Sequence, residues 1–464
     1  MFNIINKDYL ATRIFLLLGE TFCIVCSIFL AMLVATGSDL ESLTLIYRVW
    51  PKILLITVVF QLSFYYNDLY DLQISSTYLE TGLRFVQSLG FCSIILAAIF
   101  YSFPSVMLTK GIIIISMSFM IIFFSAWRCL YGWILKNNIF TQNIIIVGSG
   151  SLAQEIVKAI NSRRDCGYQV AAIFDNPSHS IYPILSELPA FDDFKAIHET
   201  SMKQSVRKIV VALEEKRGKL PWRELLRCKM EGLTVVDGIS FYESLTRNIL
   251  VKNLRPSWLI FSEGFKKSPV KMFTKRVFGM IISLCGIIAT LPLSLLAALC
   301  IKLESRGPIF YSQVRCGEKG KLFTLYKFRS MSAEAENETG AVWAAEDDPR
   351  ITRVGRIIRK LRIDEIPQMW NVLRGDMSFV GPRPERPEFV GELKELIPFY
   401  EERMHVKPGI TGWAQVCREY GASIEDALEK LQYDLYYIKN MNFLFDLKIM
   451  IATAKIILLK RGAR

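Results

Sequence analysis

Long apolar runs fill the first third of the chain: Ile14 to Thr36, Ile53 to Tyr66, Phe85 to Leu108, and Gly111 to Trp127 extended by Cys129 to Leu135. Each approaches the roughly 20 residues that cross a bilayer as a helix, the second being short. From Asn143 the pattern changes. An apolar strand, Asn143 to Val147, leads into Gly148-Ser149-Gly150-Ser151-Leu152-Ala153 and a helical stretch through Ile160. Further strands over Tyr168 to Phe174, Lys208 to Leu213 and Leu233 to Val236 predict a doubly wound α/β unit. A charge-free stretch, Val277 to Ile301, opens the last region, and Phe443 to Leu459 near the end carries apolar residues at helical spacing with Asp446, Lys448 and Lys455 interspersed.

These patterns predict a membrane protein in three parts: a four-helix transmembrane bundle over 1–139, a Rossmann-like domain over 140–262, and an α-rich α+β module over 263–464. Lys7 and Arg13 precede the first run, Arg84 separates the second from the third, and Arg128 and Lys136 close the fourth. The positive-inside tendency therefore puts both ends of the bundle in the cytoplasm, although Arg48, Lys52 and Lys110 fall on the predicted outer side. The first run ends without a small-residue cleavage site and reads as a retained anchor.

Val277 to Ile301 has basic residues on both sides, Lys266, Lys267, Lys271, Lys275 and Arg276 before it and Lys302 and Arg306 after it. A single crossing would put the Rossmann-like domain and everything after residue 302 in opposite compartments. A re-entrant helix bent at Pro292 removes that conflict; a proline-kinked spanning helix is the alternative. The segment after Phe443 suits either an interfacial helix or packing on its own domain.

Composition narrows the chemistry only partly. The 464 residues are 52% hydrophobic, with 56 Lys and Arg against 44 Asp and Glu. Such a basic excess suits anionic lipid, nucleotide phosphates or nucleic acid equally, and no nucleic-acid recognition motif is present. Cys23 and Cys26 sit in an apolar helix, and with three histidines in all a zinc site is not expected. In the glycine loop Ala153 stands where a third glycine would be, and Asp175 stands where an acid would meet a ribose. So incomplete a fingerprint favours a scaffold or regulatory role over a bound nucleotide, and a dimerisation role is open to this domain.

The most informative stretch runs from Arg362 to Pro384. It opens with an adjacent carboxylate pair, Asp364-Glu365, just after Arg350, Arg353, Arg356 and Arg359, which recur every third residue. That spacing keeps guanidinium groups near one side of a helix, where an anionic ligand or a membrane surface is the sensible partner. Gly381-Pro382-Arg383-Pro384 reads as a rigid turn presenting one guanidinium.

With Arg306-Gly307-Pro308-Ile309-Phe310-Tyr311, Phe323 to Met331, Lys407-Pro408-Gly409-Ile410-Thr411-Gly412-Trp413 and Tyr433-Asp434-Leu435-Tyr436-Tyr437, this stretch makes five ordered blocks over roughly 270–460. Together they resemble the bacterial sugar transferases, the polyprenol phosphate phosphoglycosyl transferases of exopolysaccharide and O-antigen initiation. The resemblance implies that a carboxylate attacks the sugar-proximal phosphorus of a UDP-sugar, with UDP-glucose or UDP-galactose as donor. UMP would leave, and the phosphosugar would pass to polyprenyl phosphate at the cytoplasmic face of the bacterial inner membrane. It assigns Asp364 as nucleophile and Mg2+ ligand, Glu365 as the second member of the dyad, and Lys327, Arg329, Arg359, Arg383 and Asp434 as substrate-binding positions. Membrane-bound nucleotide-sugar dehydratases and epimerases need a Tyr-x-x-x-Lys pair, which none of the 18 tyrosines here supplies. A non-enzymatic assembly scaffold would have no use for the acidic pair among its arginines.

Overall fold

The computed structural model describes residues 7–36, 41–70, 78–107, 110–137, 141–162, 166–175, 183–186, 188–214, 220–332, 348–418, 421 and 423–458. The chain divides into two units, Met1–Thr246 and Arg247–Arg464.

The first unit begins with helices α1 (Lys7–Thr36), α2 (Glu41–Tyr66), α3 (Tyr78–Ser102) and α4 (Lys110–Lys136). Each contains a stretch long and apolar enough to cross a membrane. The second helix starts twelve residues before the expected Ile53, because its first turns carry Arg48, Pro51 and Lys52, which interrupt the apolar pattern without ending the helix. The third ends at Ser102 rather than Leu108, where Phe103-Pro104 turns the chain into a short 3-10 segment. Aromatic packing holds the bundle: the rings of Phe85 and Phe124 stack at 3.9 Å, beside fully buried Phe64. At Gly19 the helices approach so closely that a β-carbon would overlap the ring of Trp127. One buried ion pair, Glu20 with Arg128 at 2.5 Å, links α1 to α4, and Arg128 also donates to the carbonyl of Leu69 at 2.9 Å. Charges inside such a bundle persist only when paired in this way.

The same unit continues with β1 (Gln142–Val147), α5 (Ser151–Asn161), β2 (Tyr168–Phe174), α6 (Pro183–Ser186), β3 (Ala190–Phe191), α7 (Ile197–Lys203), β4 (Lys208–Val211), α8 (Trp222–Met230), β5 (Thr234–Asp237) and α9 (Gly238–Thr246). The strands form one parallel sheet in the order β3-β2-β1-β4-β5. Ile144 to Val147 are fully buried, as a central strand covered on both faces requires. The two-residue strand β3 was not expected; its apolar signal is too short to register. The glycine loop follows β1 at the point where strand order reverses, the usual place for a ligand.

Here that loop is occupied by the protein itself. Oδ2 of Asp175 accepts from the amide and the hydroxyl of Ser149, both at 2.6 Å. Oε1 of Glu214 accepts from the amide and hydroxyl of Ser151, both at 2.7 Å, at the start of α5. A β-carbon on Gly150 would strike the Glu214 carboxylate. Asp175 is thus engaged by the loop.

The second unit starts with α10 (Pro256–Phe261) and α11 (Pro269–Glu304), followed by the antiparallel hairpin β6 (Phe310–Cys316) and β7 (Leu322–Phe328). Then come α12 (Arg353–Lys360), α13 (Gln368–Arg374), β8 (Ser378–Val380), α14 (Pro387–Leu396), β9 (Gly409–Thr411), α15 (Trp413–Cys417), α16 (Ile424–Asn440) and α17 (Phe443–Leu458). Strands β8 and β9 pair in parallel. Residues 247–262 pack with this unit: the Trp413 indole donates to the Arg247 carbonyl at 3.0 Å, and Lys439 lies over the Trp258 ring.

Helix α11 is the fifth stretch apolar and long enough to cross a membrane, yet it touches its own unit along its length. Lys275 binds Asp446 at 2.6 Å, Arg276 donates to the carbonyls of Val372 and Leu373, and Gly286 sits against Met369. Ala297 and Ile301 pack with Phe328, Ile358 and Ile363, and the Glu304 carboxylate accepts from the amides of Arg353 and Val354 at 2.8 and 3.0 Å. The opposite side leaves Ile281, Leu284, Ile288, Leu295 and Leu299 exposed. Near the C-terminus, α17 buries Asp446 and Ile449 against the unit while exposing Phe443, Leu444 and Leu458. It is packed on its own domain and apolar on its outer side.

Candidate active site

The acidic pair is presented by a sharp local turn. Helix α12 is capped by Thr352, whose hydroxyl accepts from the Gly355 amide, and ends at Lys360. Two residues on, Arg362 adopts a left-handed conformation, φ 56°, which is strained for a residue with a β-carbon. It reverses the chain into the 3-10 turn Ile363–Glu365. Ile363 is buried as the anchor of that turn, and Pro367 then opens α13, which Gly375 terminates at φ 96°.

Asp364 and Glu365 are both buried, but their surroundings differ. Oε1 of Glu365 gathers three cations: Arg383 at 2.8 Å, Lys327 at 3.4 Å and Arg362 at 3.6 Å. Burial alone would raise its pKa; Arg383, Lys327 and Arg362 more than reverse this and hold it far below the usual carboxylate range. Asp364 has the opposite balance. Burial and the neighbouring Glu365 push its carboxyl up to about 6, against the weaker opposing pull of Lys327, Arg362 and Arg359. Its Oδ1 is buried without a hydrogen-bond partner. The side-chain Nε2 of Gln368, at the start of α13, is likewise buried and unpartnered. Lys327 is also perturbed: burial lowers its pKa, with Glu365 opposing.

The cations arrive from separate elements. Lys327 lies on β7, paired across the hairpin with Tyr311, and α13 fixes that strand through Asn371. The buried Asn371 side chain accepts from the Tyr326 amide at 3.1 Å and donates to the Thr324 carbonyl at 2.7 Å. Arg383 stands in a segment whose successive carbonyls are each held. The Gly409 amide donates to Pro382, Arg403 to Arg383 at 3.0 Å, Arg315 to Pro384 at 3.1 Å, and the Cys316 amide to Glu385 at 2.9 Å. With Pro382 and Pro384 restricting the backbone as well, the guanidinium is aimed before any ligand arrives.

Two expected substrate-binding residues are committed elsewhere. Buried Arg329 donates to the carbonyls of Ser305 and Arg306 and to the Ser305 hydroxyl, at 2.9, 2.9 and 2.7 Å, and so fastens the end of α11. Asp434 is buried against Arg403, which donates to it at 3.1 and 2.8 Å. Burial pushes Asp434 up to about 6 although Arg403 pulls it down. Because Arg403 also holds the Arg383 carbonyl, Asp434 stands one step behind the Arg383 segment. The expected arginine row is also divided. Arg350 precedes α12 and pairs with Asp348 at 2.5 Å, and Arg353 and Arg356 are exposed, while Arg359 contributes to the field on Asp364. Sequence reasoning missed Arg403 and Asn371, whose contacts with Arg383, Asp434, Tyr326 and Thr324 span 20 to 47 residues.

Comparison with known proteins bears on this geometry. Residues 270–460 match the bacterial sugar transferase family and residues 66–219 match a CoA-binding domain. The chain is 30% identical over 397 residues to an undecaprenyl-phosphate galactose phosphotransferase of Salmonella typhimurium, covering 80% of this chain and 81% of that protein. It belongs to the bacterial sugar transferase family. A UDP-N-acetylgalactosamine-undecaprenyl-phosphate N-acetylgalactosaminephosphotransferase of Aeromonas hydrophila is 43% identical over 52% of this chain and 56% of its own length. An undecaprenyl-phosphate glucose phosphotransferase of Komagataeibacter xylinus is 32% identical over 72% of this chain and 63% of its own length. The match thus spans 56% and 63% of the length of these last two relatives. Every residue of the acidic pair and its cations falls inside the bacterial sugar transferase match.

Proposed function

We propose that this protein transfers a sugar 1-phosphate from a UDP-sugar to undecaprenyl phosphate, releasing UMP, at the cytoplasmic face of a bacterial inner membrane. The observation that carries the reading is the asymmetry of the acidic pair. Glu365 is held ionised by three cations, while Asp364 keeps a buried oxygen with no donor. An oxygen so placed is a nucleophile awaiting an electrophile.

In the first step Asp364 attacks the sugar-proximal phosphorus. A carboxylate–phosphorus bond forms, the bond from that phosphorus to the bridging oxygen breaks, and UMP carries the electron pair away. In the second, a phosphate oxygen of the acceptor lipid attacks the same phosphorus, restoring the carboxylate and forming the lipid diphosphosugar. Arg383, Lys327 and Arg359 offset phosphate charge that would otherwise repel Asp364. Glu365 keeps Arg383 and Lys327 in place, and Asp434 supports them through Arg403.

A magnesium ion fits this site. Asp364 would hold it through the carboxylate oxygen that does not attack, and no cluster of three or more His, Cys, Asp or Glu exists among the described residues, so substrate phosphates and water would complete the shell. When bound, the ion would supply further charge neutralisation on the diphosphate.

Contacts of both ends of α11 with one folded unit support a helix that enters and leaves on one face. Its 36 residues would extend about 54 Å if straight, well beyond the roughly 30 Å of a bilayer core. Lys275 near one end and Glu304 at the other both bind the same folded unit, and Pro292 removes one helical hydrogen bond between them. The four N-terminal helices then form a separate membrane anchor. The relatives' names extend the expected donors from glucose and galactose to N-acetylgalactosamine. The protein in detergent, given a panel of these UDP-sugars with undecaprenyl phosphate, should release UMP from one of them. Absence of UMP with every donor would overturn the reading.

A further inference from the structure

Beside the acidic pair lies a cleft of about 360 Å³, within the roughly 300–1,000 Å³ range of ligand clefts. Leu291 and Ser294 of α11 form one wall, Phe310 and Tyr326 of the hairpin another, and Pro367 and Trp370 the third. No charged side chain lines it. Leu291, Phe310 and Trp370 are each more than half exposed, an unusual density of large apolar surface around one opening.

Its position is as informative as its composition. Pro367 stands two residues after Glu365, and Tyr326 immediately precedes Lys327, whose ammonium lies 3.4 Å from the Glu365 carboxylate. One wall is therefore continuous with the site where phosphate chemistry would occur. The other wall is the membrane helix, on the same stretch that carries Pro292. A UDP-sugar, polar throughout, has no counterpart in such a lining. A lipid whose phosphate reaches Asp364 must lead its first carbons past the residues flanking the dyad, and the cleft is the apolar space found there.

We propose that this cleft takes the first isoprene units of the acceptor's prenyl chain; the assignment rests on the transferase reading above. Bulk phospholipid would have no reason to prefer it, since nothing fixes an acyl chain beside the dyad.

The test compares two acceptors in each variant of the full-length protein: farnesyl phosphate, with three isoprene units, and dimethylallyl phosphate, with one. The ratio of their kcat/KM values cancels any general damage to folding, donor binding or the first chemical step. Filling the cleft with Ser294→Phe, or removing its rim with Trp370→Ala, should lower that ratio about tenfold, the effect of losing two buried methylene groups. A farnesyl phosphate bearing a diazirine on its first unit should label peptides around 287–294 and 366–370. Undecaprenyl phosphate should compete with the label, and phosphatidylglycerol in the same vesicles should not. An unchanged ratio in both variants overturns the proposal, as does labelling elsewhere or equal competition by phosphatidylglycerol. If UMP is released while the ratio stays unchanged, only the cleft assignment falls. If no UDP-sugar yields UMP, the transferase reading falls and the cleft assignment with it.

Discussion

Two places in this chain have the makings of a phosphate site, and they are resolved in opposite ways. In the parallel-sheet domain the loop after β1 offers amides at the start of a helix, and the protein fills them with Asp175 and Glu214. In the C-terminal unit the cations are assembled around Glu365, but Asp364 beside them is left with an unpartnered oxygen. In the first, the amides and hydroxyls of Ser149 and Ser151 are met by the protein's own carboxylates. The second holds a buried charge that remains unsatisfied until a ligand or ion arrives. Fold and motif favour the first as a binding site; the hydrogen-bond inventory favours the second.

The largest effect that would sharpen the contrast is at Asp364. Asp364→Asn keeps the shape and removes the attacking anion, so UMP release should fall by about 10⁴-fold or more, with UDP-sugar affinity measured by calorimetry largely kept. Loss of affinity with turnover retained would reverse the assignment. Next is Arg383→Ala, which removes the 2.8 Å partner of Glu365. Its kcat/KM should drop about 10²–10³-fold, and Arg383→Lys should recover only part of this because the ammonium cannot reproduce the guanidinium geometry.

Arg403→Met acts one step further back. Leaving Asp434 buried and unpaired should destabilise the unit by about 3–5 kcal/mol in a denaturant titration. In protein that remains folded, kcat should fall about tenfold as the Arg383 segment loosens. Asp434→Asn combined with Arg403→Met should recover stability without recovering kcat. Arg329→Ala should behave differently from Arg383→Ala, costing about 1–3 kcal/mol through the unsatisfied carbonyls of Ser305 and Arg306, with KM for the UDP-sugar little changed. The smallest effect is expected at the closed loop. Glu214→Gln with Asp175→Asn should change the transferase rate less than about twofold, because the amides they satisfy belong to a structural arrangement. A larger change in rate would show that the loop is coupled to catalysis after all.

Much of this contrast was legible in the sequence, and what was not has definite causes. Apolar run length located all four N-terminal helices, and the period of strand and helix located β1, α5 and β2 because their buried faces are nearly unbroken. Local polarity concealed the start of α2, where Lys52 donates to the Met107 carbonyl instead of ending the helix. Adjacency, the arginine row before them and the family resemblance marked Asp364 and Glu365, and the prolines around Arg383 marked a rigid turn. Neither adjacency nor spacing reveals that Arg329 fastens α11 or that Arg403 supports Arg383. Those roles depend on which distant carbonyls and carboxylates the fold brings within reach. The same holds for the contact of Asp175 with Ser149, 26 residues away in sequence.

The central claim is that the unpartnered oxygen of Asp364 carries the phosphosugar. The most direct test mixes the protein with its UDP-sugar in the absence of any lipid acceptor and follows UMP together with the intact mass of the protein. One UMP per active site should appear in a burst, the protein should gain the mass of one sugar phosphate, and peptide mapping should place it on Asp364. Adding polyprenyl phosphate should then remove the added mass. Release of UMP only when the acceptor is present, with no trapped adduct, would contradict the account and indicate direct transfer; an adduct on any other residue would contradict it equally.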